Sequence, residues 1–504
     1  MGKLVPQTAP TPPVGERRAG ADAGRGGSFW GRGLAPGPGG SARRTLARPR
    51  PAMPHPALGR EVRATLGLAV PIVLVQLSGM SMSFVDVVMV GRLGTEALAA
   101  VVLGSTTFFT ASLVCIGVIV AVQPTVAQAV GAGDTAGAGR GARQGLWLAT
   151  LLGVPFTVAL GYMEPVLVWT GQDPGTSALA ADYLGAIRWG FVPNLWFTAL
   201  RGLAEGDGRP RPVLVVTLLG VAANAGLNYL LMFGGWGLPA LGLVGTGWSS
   251  ALTTVVMFAG MAVYVRRGPL ARFHVFADFR RPDPAALREL FALGWPIGVG
   301  FGLEAGLFTA ATLLVGRLPD HETALAAHQV ALNAASVAFM VPLGIGMAGG
   351  VRVGQAVGAG DAAGAARAGW TAVGLGAAFM ACSATLFWLA PGVVVWVYAG
   401  ASPDPDVAAL AASLLGIAAV FQLFDGVQAA VAGALRGLKD TRVPMLISAG
   451  AYWGLGLTTA VALGVGAGWG APGLWWGLTL GLGAAAVALS ARFARLTRPR
   501  PALA

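Results

Sequence analysis

A chain of 504 residues that is 55% hydrophobic and only 11% charged falls short of the roughly one-quarter charged residues that cover a water-soluble domain. The mean hydropathy is +0.67 and the net charge +12, so a soluble globular protein is excluded and the basic excess needs a membrane explanation before a nucleic-acid one. Long apolar runs recur from about residue 64 to about 490, each near the ~20 residues that cross a bilayer as a helix. Barrel strands would be about ten residues long and alternate in polarity, which these runs do not, and helices satisfy their own backbone hydrogen bonds in lipid.

In chain order, residues 1–56 are rich in Pro, Gly, Ala and Arg and read as a disordered tail. They lack the apolar core of a secretory signal, and a start at Met53, just before the first helix, is a second reading. An N-terminal six-helix bundle, 57–265, then carries spans at 64–92, 97–126, 142–163, 177–204, 211–233 and 240–265. A basic linker at 266–284 holds Arg266, Arg267, Arg272, Arg280 and Arg281. A C-terminal bundle, 285–496, carries spans at 285–316, 323–350, 364–392, 405–436, 442–466 and 470–494, and a short basic tail closes the chain at 497–504. The predicted fold is therefore all-α integral membrane, with about twelve transmembrane helices in two homologous halves. Cys115 and Cys382 sit in apolar runs of different halves, which argues against a disulfide or metal site. No metal-ligand cluster, phosphate-cradling loop or nucleophile–base set is legible, so the chain reads as a non-enzyme without a cofactor.

Loop charges set the expected orientation. With the N-terminus cytoplasmic, Arg140, Arg143, Arg209, Arg211, the linker, Arg352, Arg367, Lys439, Arg442 and 492–500 fall inside. The outer connections hold Arg92 and Arg317 but also Glu164, Asp173, Asp320, Glu322, Asp404 and Asp406. Both termini are then cytoplasmic, in a multi-pass protein of the cell membrane. An internal repeat supports six plus six spans. Pro71-Ile72 and Val90-Gly91-Arg92-Leu93 return 225 residues later, as Pro296-Ile297 and Val315-Gly316-Arg317-Leu318. Gln128-Ala-Val-Gly-Ala-Gly-Asp134 returns unchanged at 355–361, and Ala199-Leu-Arg-Gly-Leu203 at 434–438. An even number of spans per half makes the halves face the same way, related by an axis along the membrane normal.

A charge near the bilayer centre costs at least ~2.5–3.5 kcal/mol, so intramembrane carboxylates are functional candidates. Asp86 lies in the first span, roughly 9 Å from its outer end; Glu304 in the seventh lies roughly 18 Å deep, and Asp425 in the tenth roughly 16 Å from an end. The bland reading of each is a structural carboxylate, paired with an Arg or capping a broken helix; neither Glu304 nor Asp425 has a basic residue close by in its own span. The functional reading is reversible binding of H⁺ or Na⁺, since removal from water disfavours the bare carboxylate. Asn224 and Asn228 share one face of the fifth span, with Thr246 early in the sixth; Gln329 and Asn333 repeat the i,i+4 amide spacing in the eighth. Such amides are equally interhelical glue. Gln76 is a weaker candidate, His328 reads as structural, and Arg188 either pairs with a carboxylate or faces water. Of the aromatics inside spans, Phe108, Phe109, Trp196, Phe339 and Trp453 are packing residues or cavity walls for flat cations.

These motifs together resemble the multidrug and toxic compound extrusion (MATE) family of cation-coupled antiporters, over about 60–495. The resemblance rests on Pro71 to Gly91 with Val85-Asp86, the Gln128 motif, Ala199-Leu-Arg-Gly with Glu205-Gly206, Ala326-Ala-His-Gln329-Val-Ala-Leu-Asn333, and Leu435-Arg-Gly-Leu-Lys-Asp-Thr-Arg442. It implies two bundles around a central cavity open alternately to each side. Glu304 and Asp425 look like the acidic pair of the C-terminal bundle in the NorM-type branch, and Asp86, Asn224, Asn228 and Thr246 like the polar cluster placed at a cation site in the N-terminal bundle. Some members carry a second Asp where Asn228 stands, and a Tyr where Phe421 stands. The expectation is an exporter of cationic, amphipathic, aromatic small molecules in exchange for inward Na⁺ or H⁺, with Gln329, Asn333, Gln76 and Phe339 toward the cavity. It would act as a monomer among membrane lipids, with no nucleic-acid partner. The rival readings are a lipid-linked oligosaccharide flippase of a related branch, a membrane-embedded enzyme and a plain channel.

Overall fold

A computed structural model describes residues 58–235, 237–277, 279–280, 282–400 and 404–498. The tail at 1–56 with Met53, Arg281 of the linker, and all of 497–504 except Thr497 and Arg498 lie outside the described residues. Among the described residues the secondary structure is helical throughout, apart from one isolated bridge between Gly235 and Leu238. Ten helices are each long and apolar enough to cross a bilayer. They account for the first, second, fifth and sixth predicted spans and for all six of the second half: Leu58–Leu93, Thr95–Gly131, Arg211–Phe233, Gly242–Arg267, Pro284–Val315, His321–Gly358, Ala362–Leu389, Pro405–Gly437, Arg442–Gly466 and Gly470–Thr497.

The third and fourth spans depart from a plain rod. Thr135–Leu160 bends by 60° into the short helix Met163–Trp169, and only the pair together makes an eleventh span. The fourth is built from Pro174–Ile187 and Phe191–Gly206, joined by a 3-10 turn at Arg188–Gly190. Neither piece reaches span length alone, at 14 and 16 residues. A second short helix, Pro391–Ala399, follows the ninth span, opened by a proline whose fixed φ suits a first turn. The eleventh span carries two π-helical stretches, Gly450–Leu457 and Ala462–Gly466, a geometry often found at functional sites.

Each half has its own packed interior. Phe191, Leu195, Leu200 and Leu203 of the fourth span anchor one, with the second, third and sixth spans around them. Leu414, Leu415, Ala418 and Phe421 of the tenth span anchor the other, against Leu307, Ala331 and Trp475. The halves meet between the first and eighth spans and between the second and seventh. Small residues bring these backbones together: a Cβ on Gly117 would fall against the Cα of Gly298, the close approach that lets helices associate in lipid.

These cross-half contacts crowd from mid-span toward one end, the end where the first span begins. Glu61 and Arg352 form a bidentate pair there, at 2.9 to 3.1 Å. The repeated glutamines cross over: Gln128 Nε2 donates to Gly437 O at 2.9 Å, and Gln355 Nε2 donates to Gly206 O at 3.0 Å. Gly206 and Gly437 are the last residues of their helices, so each glutamine supplies a donor to a carbonyl that a helix end leaves unpaired. Asp86, Glu304, Gln329 and Asn333 lie on their spans past the mid-span contacts, on the side away from this closed end.

The described residues of the linker lie as a strap on the first half. Arg143 donates to the carbonyls of His274 and Val275, and Trp147 Nε1 donates to Phe279 O while its ring stacks on Phe279 at 5.3 Å. Arg272 and Arg209 both pair with Asp207. Burial pushes the Asp207 carboxyl above its usual range, although both arginines pull the other way.

Candidate functional site

The structure assembles two polar clusters inside the spans, one per half. In the first, Asp86 is reached from the fifth and sixth spans. Asn228 Nδ2 donates to Asp86 Oδ1, and Ser250 Oγ donates to Asp86 Oδ2 at 3.3 Å. Asn228 Nδ2 also reaches Asn224 Oδ1 at 3.3 Å, one helical turn away, and Ser249 Oγ donates to Asn224 O at 3.1 Å. Asn224, Asn228 and Thr246 are fully buried. Asn224 Nδ2, Asn228 Oδ1 and Thr246 Oγ1 are left without a hydrogen-bond partner. Tyr183 of the fourth span lies in the field of the Asp86 charge. Both Asp86 oxygens therefore already accept bonds, while unpaired amide and hydroxyl groups stand close by on the same helices.

The second cluster joins the seventh, tenth and eleventh spans. Glu304 and Asp425 lie near enough to feel each other's charge, and Tyr452 lies in the field of both. Asp425 is 3% exposed, yet its Oδ1 accepts no hydrogen bond. Gln428 Oε1, one turn further along, and the Tyr452 hydroxyl are likewise buried and unpaired. Ser448 and Gln428 stand beside that hydroxyl, short of hydrogen-bond geometry. The π-helical stretch that carries Tyr452 also aims Trp453 at the seventh span, where its Nε1 donates to Leu303 O at 3.1 Å, next to Glu304. A base does reach Glu304, but from another span: Arg436 of the tenth lies in the field of Glu304 and sits over Phe301 at 5.6 Å. Its distance along the span, eleven residues, hid it, because the tenth span runs past the face of the seventh.

The remaining candidates fall outside these clusters. Gln329 and Asn333 are exposed and bonded to each other at 3.5 Å. Gln76 accepts from Arg201 Nη2 at 2.8 Å, within a chain that continues from Arg201 to Glu205 at 2.7 Å and from Gln123 to Glu205 at 2.6 Å. Phe339 is half-buried and joins neither cluster. His328 is structural: Trp475 Nε1 donates to its Nδ1 at 3.1 Å, which leaves Nε2 to carry the proton toward Thr312 Oγ1 at 3.0 Å. Phe421 is core, packed edge-on to Trp475 and Phe308. Reading by sequence missed Tyr183, Ser250, Gln428, Arg436 and Tyr452. Ser250 had a signal, since it repeats Thr246 one turn on, as did Gln428, one turn after Asp425, and Arg436 stands within the repeated Ala-Leu-Arg-Gly motif; Tyr183 and Tyr452 carry no such spacing. Among the described residues no group of three or more His, Cys, Asp or Glu side chains could hold a metal ion.

Comparison with known proteins follows the same outline. The MatE family signature matches residues 71–230 and 296–462, once in each half. The chain is 43% identical over 440 residues to a probable multidrug resistance protein NorM of Rhizobium meliloti, covering 86% of this chain and 94% of that protein. It is 44% identical over 448 residues to the multidrug resistance protein NorM of Burkholderia vietnamiensis, covering 88% and 96%. Among solved structures, a eukaryotic MATE transporter superposes with a TM-score of 0.78 at 21% identity, covering 88% of this chain and 98% of that one. An outward-facing multidrug resistance MATE transporter of the MOP superfamily gives 0.78 at 18% identity, covering 87% and 97%.

Proposed function

This chain belongs to the MatE family, in its NorM-type branch, and from that premise we propose that it exports cationic, amphipathic small molecules in exchange for inward Na⁺ or H⁺. It is a multi-pass membrane transporter rather than an enzyme. The observation that carries the exchange reading is the C-terminal cluster. Two carboxylates, half-buried Glu304 and buried Asp425, share one site with acceptor oxygens on Asp425, Gln428 and Tyr452 that no protein donor fills. A hard cation is held by just such oxygens, and a proton neutralises one of two neighbouring carboxylates that cannot comfortably both be charged. Either ion relieves the same electrostatic cost.

Alternating access follows from the closed end. The halves, 57–265 and 285–496, rock about the first–eighth and second–seventh contacts, with the crossed glutamines and the Glu61–Arg352 pair made on one side. With the N-terminus in the cytoplasm, the described state is closed inward and opens outward. Ion binding at Glu304 and Asp425, or at Asp86, favours this state and weakens the hold on a cationic substrate, because both compete for the same negative charge. Gln329, Asn333 and Phe339 stand toward the substrate path, and the carboxylates draw flat cations to it. The transporter works as a monomer, needs no cofactor and uses the ion gradient alone.

Efflux of a cationic dye from energised vesicles, with Na⁺ and pH gradients imposed separately, tests the reading and assigns the ion. Dye efflux that continues unchanged in a Glu304→Gln, Asp425→Asn, Asp86→Asn triple variant would sink it. A lipid-linked oligosaccharide flippase would need basic side chains in the cavity to meet a pyrophosphate, and among the described residues Arg436 is the one cation whose charge reaches the C-terminal cluster.

A further inference from the structure

The bend in the third span and the break in the fourth meet at a groove that neither cluster uses. Thr157 Oγ1 donates to Arg188 O at 3.3 Å, fastening the 3-10 turn to the end of the third span. Gly161 and Tyr162 lie at the bend just beyond. Together with Val158 and Trp189 these residues line an open groove of about 470 Å³.

Arg188 is the groove's charge. Its guanidinium lies 5.3 Å from the Trp189 ring centre and rests over Gly161, where a Cβ would fall on Nη1. The side chain forms no ion pair among the described residues, and its Nε is buried without a hydrogen-bond partner. No carboxylate lines the groove. Arginine stays ionised in proteins, and an uncompensated cation within a span is unfavourable. Tyr162 and Trp189 are 73% and 56% exposed, as aromatics at headgroup level are. The exposed valines Val154 and Val158 continue the groove as an apolar wall.

We propose that this groove is a binding site for an anionic phospholipid, with Arg188 holding the headgroup phosphate through its planar fork, Tyr162 and Trp189 flanking the glycerol region, and an acyl chain laid along Val154 and Val158. On the orientation proposed above it belongs to the outer leaflet; the binding itself does not depend on that orientation or on the transported substrate.

The test uses the full-length protein, stripped of lipid in neutral detergent, with thermal unfolding followed as lipid is added back. Phosphatidylglycerol should raise Tm well beyond phosphatidylcholine. Inorganic phosphate in large excess should leave Tm unchanged, which separates a lipid site from a free-anion site. Arg188→Gln should weaken phosphatidylglycerol binding about tenfold, the factor expected when a charged hydrogen bond is lost. Gly161→Ala should do the same through a methyl group that takes the guanidinium's resting place, and it leaves Arg188 and its charge intact should Arg188→Gln fold poorly. Wild-type phosphatidylglycerol selectivity retained in both variants overturns the proposal, as does a full Tm rise with phosphate alone or with phosphatidylcholine. The readout is lipid binding, so its failure leaves the exchange reading untouched, and a loss of exchange leaves this site standing.

Discussion

In the N-terminal half both oxygens of Asp86 accept hydrogen bonds, from Asn228 and Ser250, whereas in the C-terminal half Asp425 Oδ1 accepts none and Glu304 lies in the field of Asp425 and of Arg436. The halves descend from one repeated pattern and yet hold their acids in opposite ways. A carboxylate already served by two donors is stable as it stands, and an incoming cation must displace one of them. A carboxylate pair facing unpaired Gln428 and Tyr452 oxygens, with the single cation Arg436 beside Glu304, gains from a further positive charge. The C-terminal cluster thus suits the ion-driven step, and the N-terminal cluster suits a site that responds to movement of the first, fifth and sixth spans.

The largest expected effect breaks this contrast directly. Glu304→Gln with Asp425→Asn should reduce ion-driven dye efflux to the level of empty vesicles, while Asp86→Asn should leave a measurable fraction. Equal losses in the two would show that the clusters act as one. If Na⁺ is the coupling ion, adding it at about a hundred times its Kd should stabilise the wild type and Asp86→Asn by up to about 3 kcal/mol, and the Glu304→Gln variant not at all. Thermal unfolding with and without Na⁺ reads this difference, and equal stabilisation of Glu304→Gln would move the ion to the other half.

A smaller effect comes from the closed end. Gln128→Ala with Gln355→Ala removes two hydrogen bonds worth about 1 kcal/mol each, so the balance between closed and open should shift roughly thirtyfold. Spin-label distances across that end would report it, and an unchanged distribution would deny the glutamines a role in closure. The smallest functional effect belongs to His328→Phe. It leaves Trp475 Nε1 and Thr312 without their partner, so stability should fall by about 1–3 kcal/mol, with the ion dependence of efflux unchanged.

Much of this frame was legible in the residues. Apolar runs of span length, the loop arginines and the in-register return of Gln128 to Asp134 predict helices in two halves. Asp86, Glu304 and Asp425 announce themselves because a carboxylate in an apolar run has few ordinary reasons to be there. The break at Arg188–Gly190 was hidden although Gly190 and Pro193 stand at it, because prolines such as Pro71, Pro296 and Pro342 lie inside spans that stay unbroken. Tyr183 and Tyr452 were hidden because an aromatic hydroxyl in a span carries no sign of which helix it will face. The two donors on Asp86 come from two different helices, and only packing brings Asn228 and Ser250 to opposite oxygens. The π-helical turn that delivers Tyr452 cannot be read from a run of small and apolar residues.

The crossed glutamines have a consequence for ancestry. Gln128 grips the last carbonyl of a helix in the second half, and its repeat, Gln355, grips the last carbonyl of a helix in the first. A contact in which each copy holds the other is the self-complementary kind that a two-fold dimer makes. A single six-span chain bearing this motif could seal one end by pairing with a second copy of itself. Joining the copies through a linker would then have preserved the seal and freed the two acidic sites to diverge.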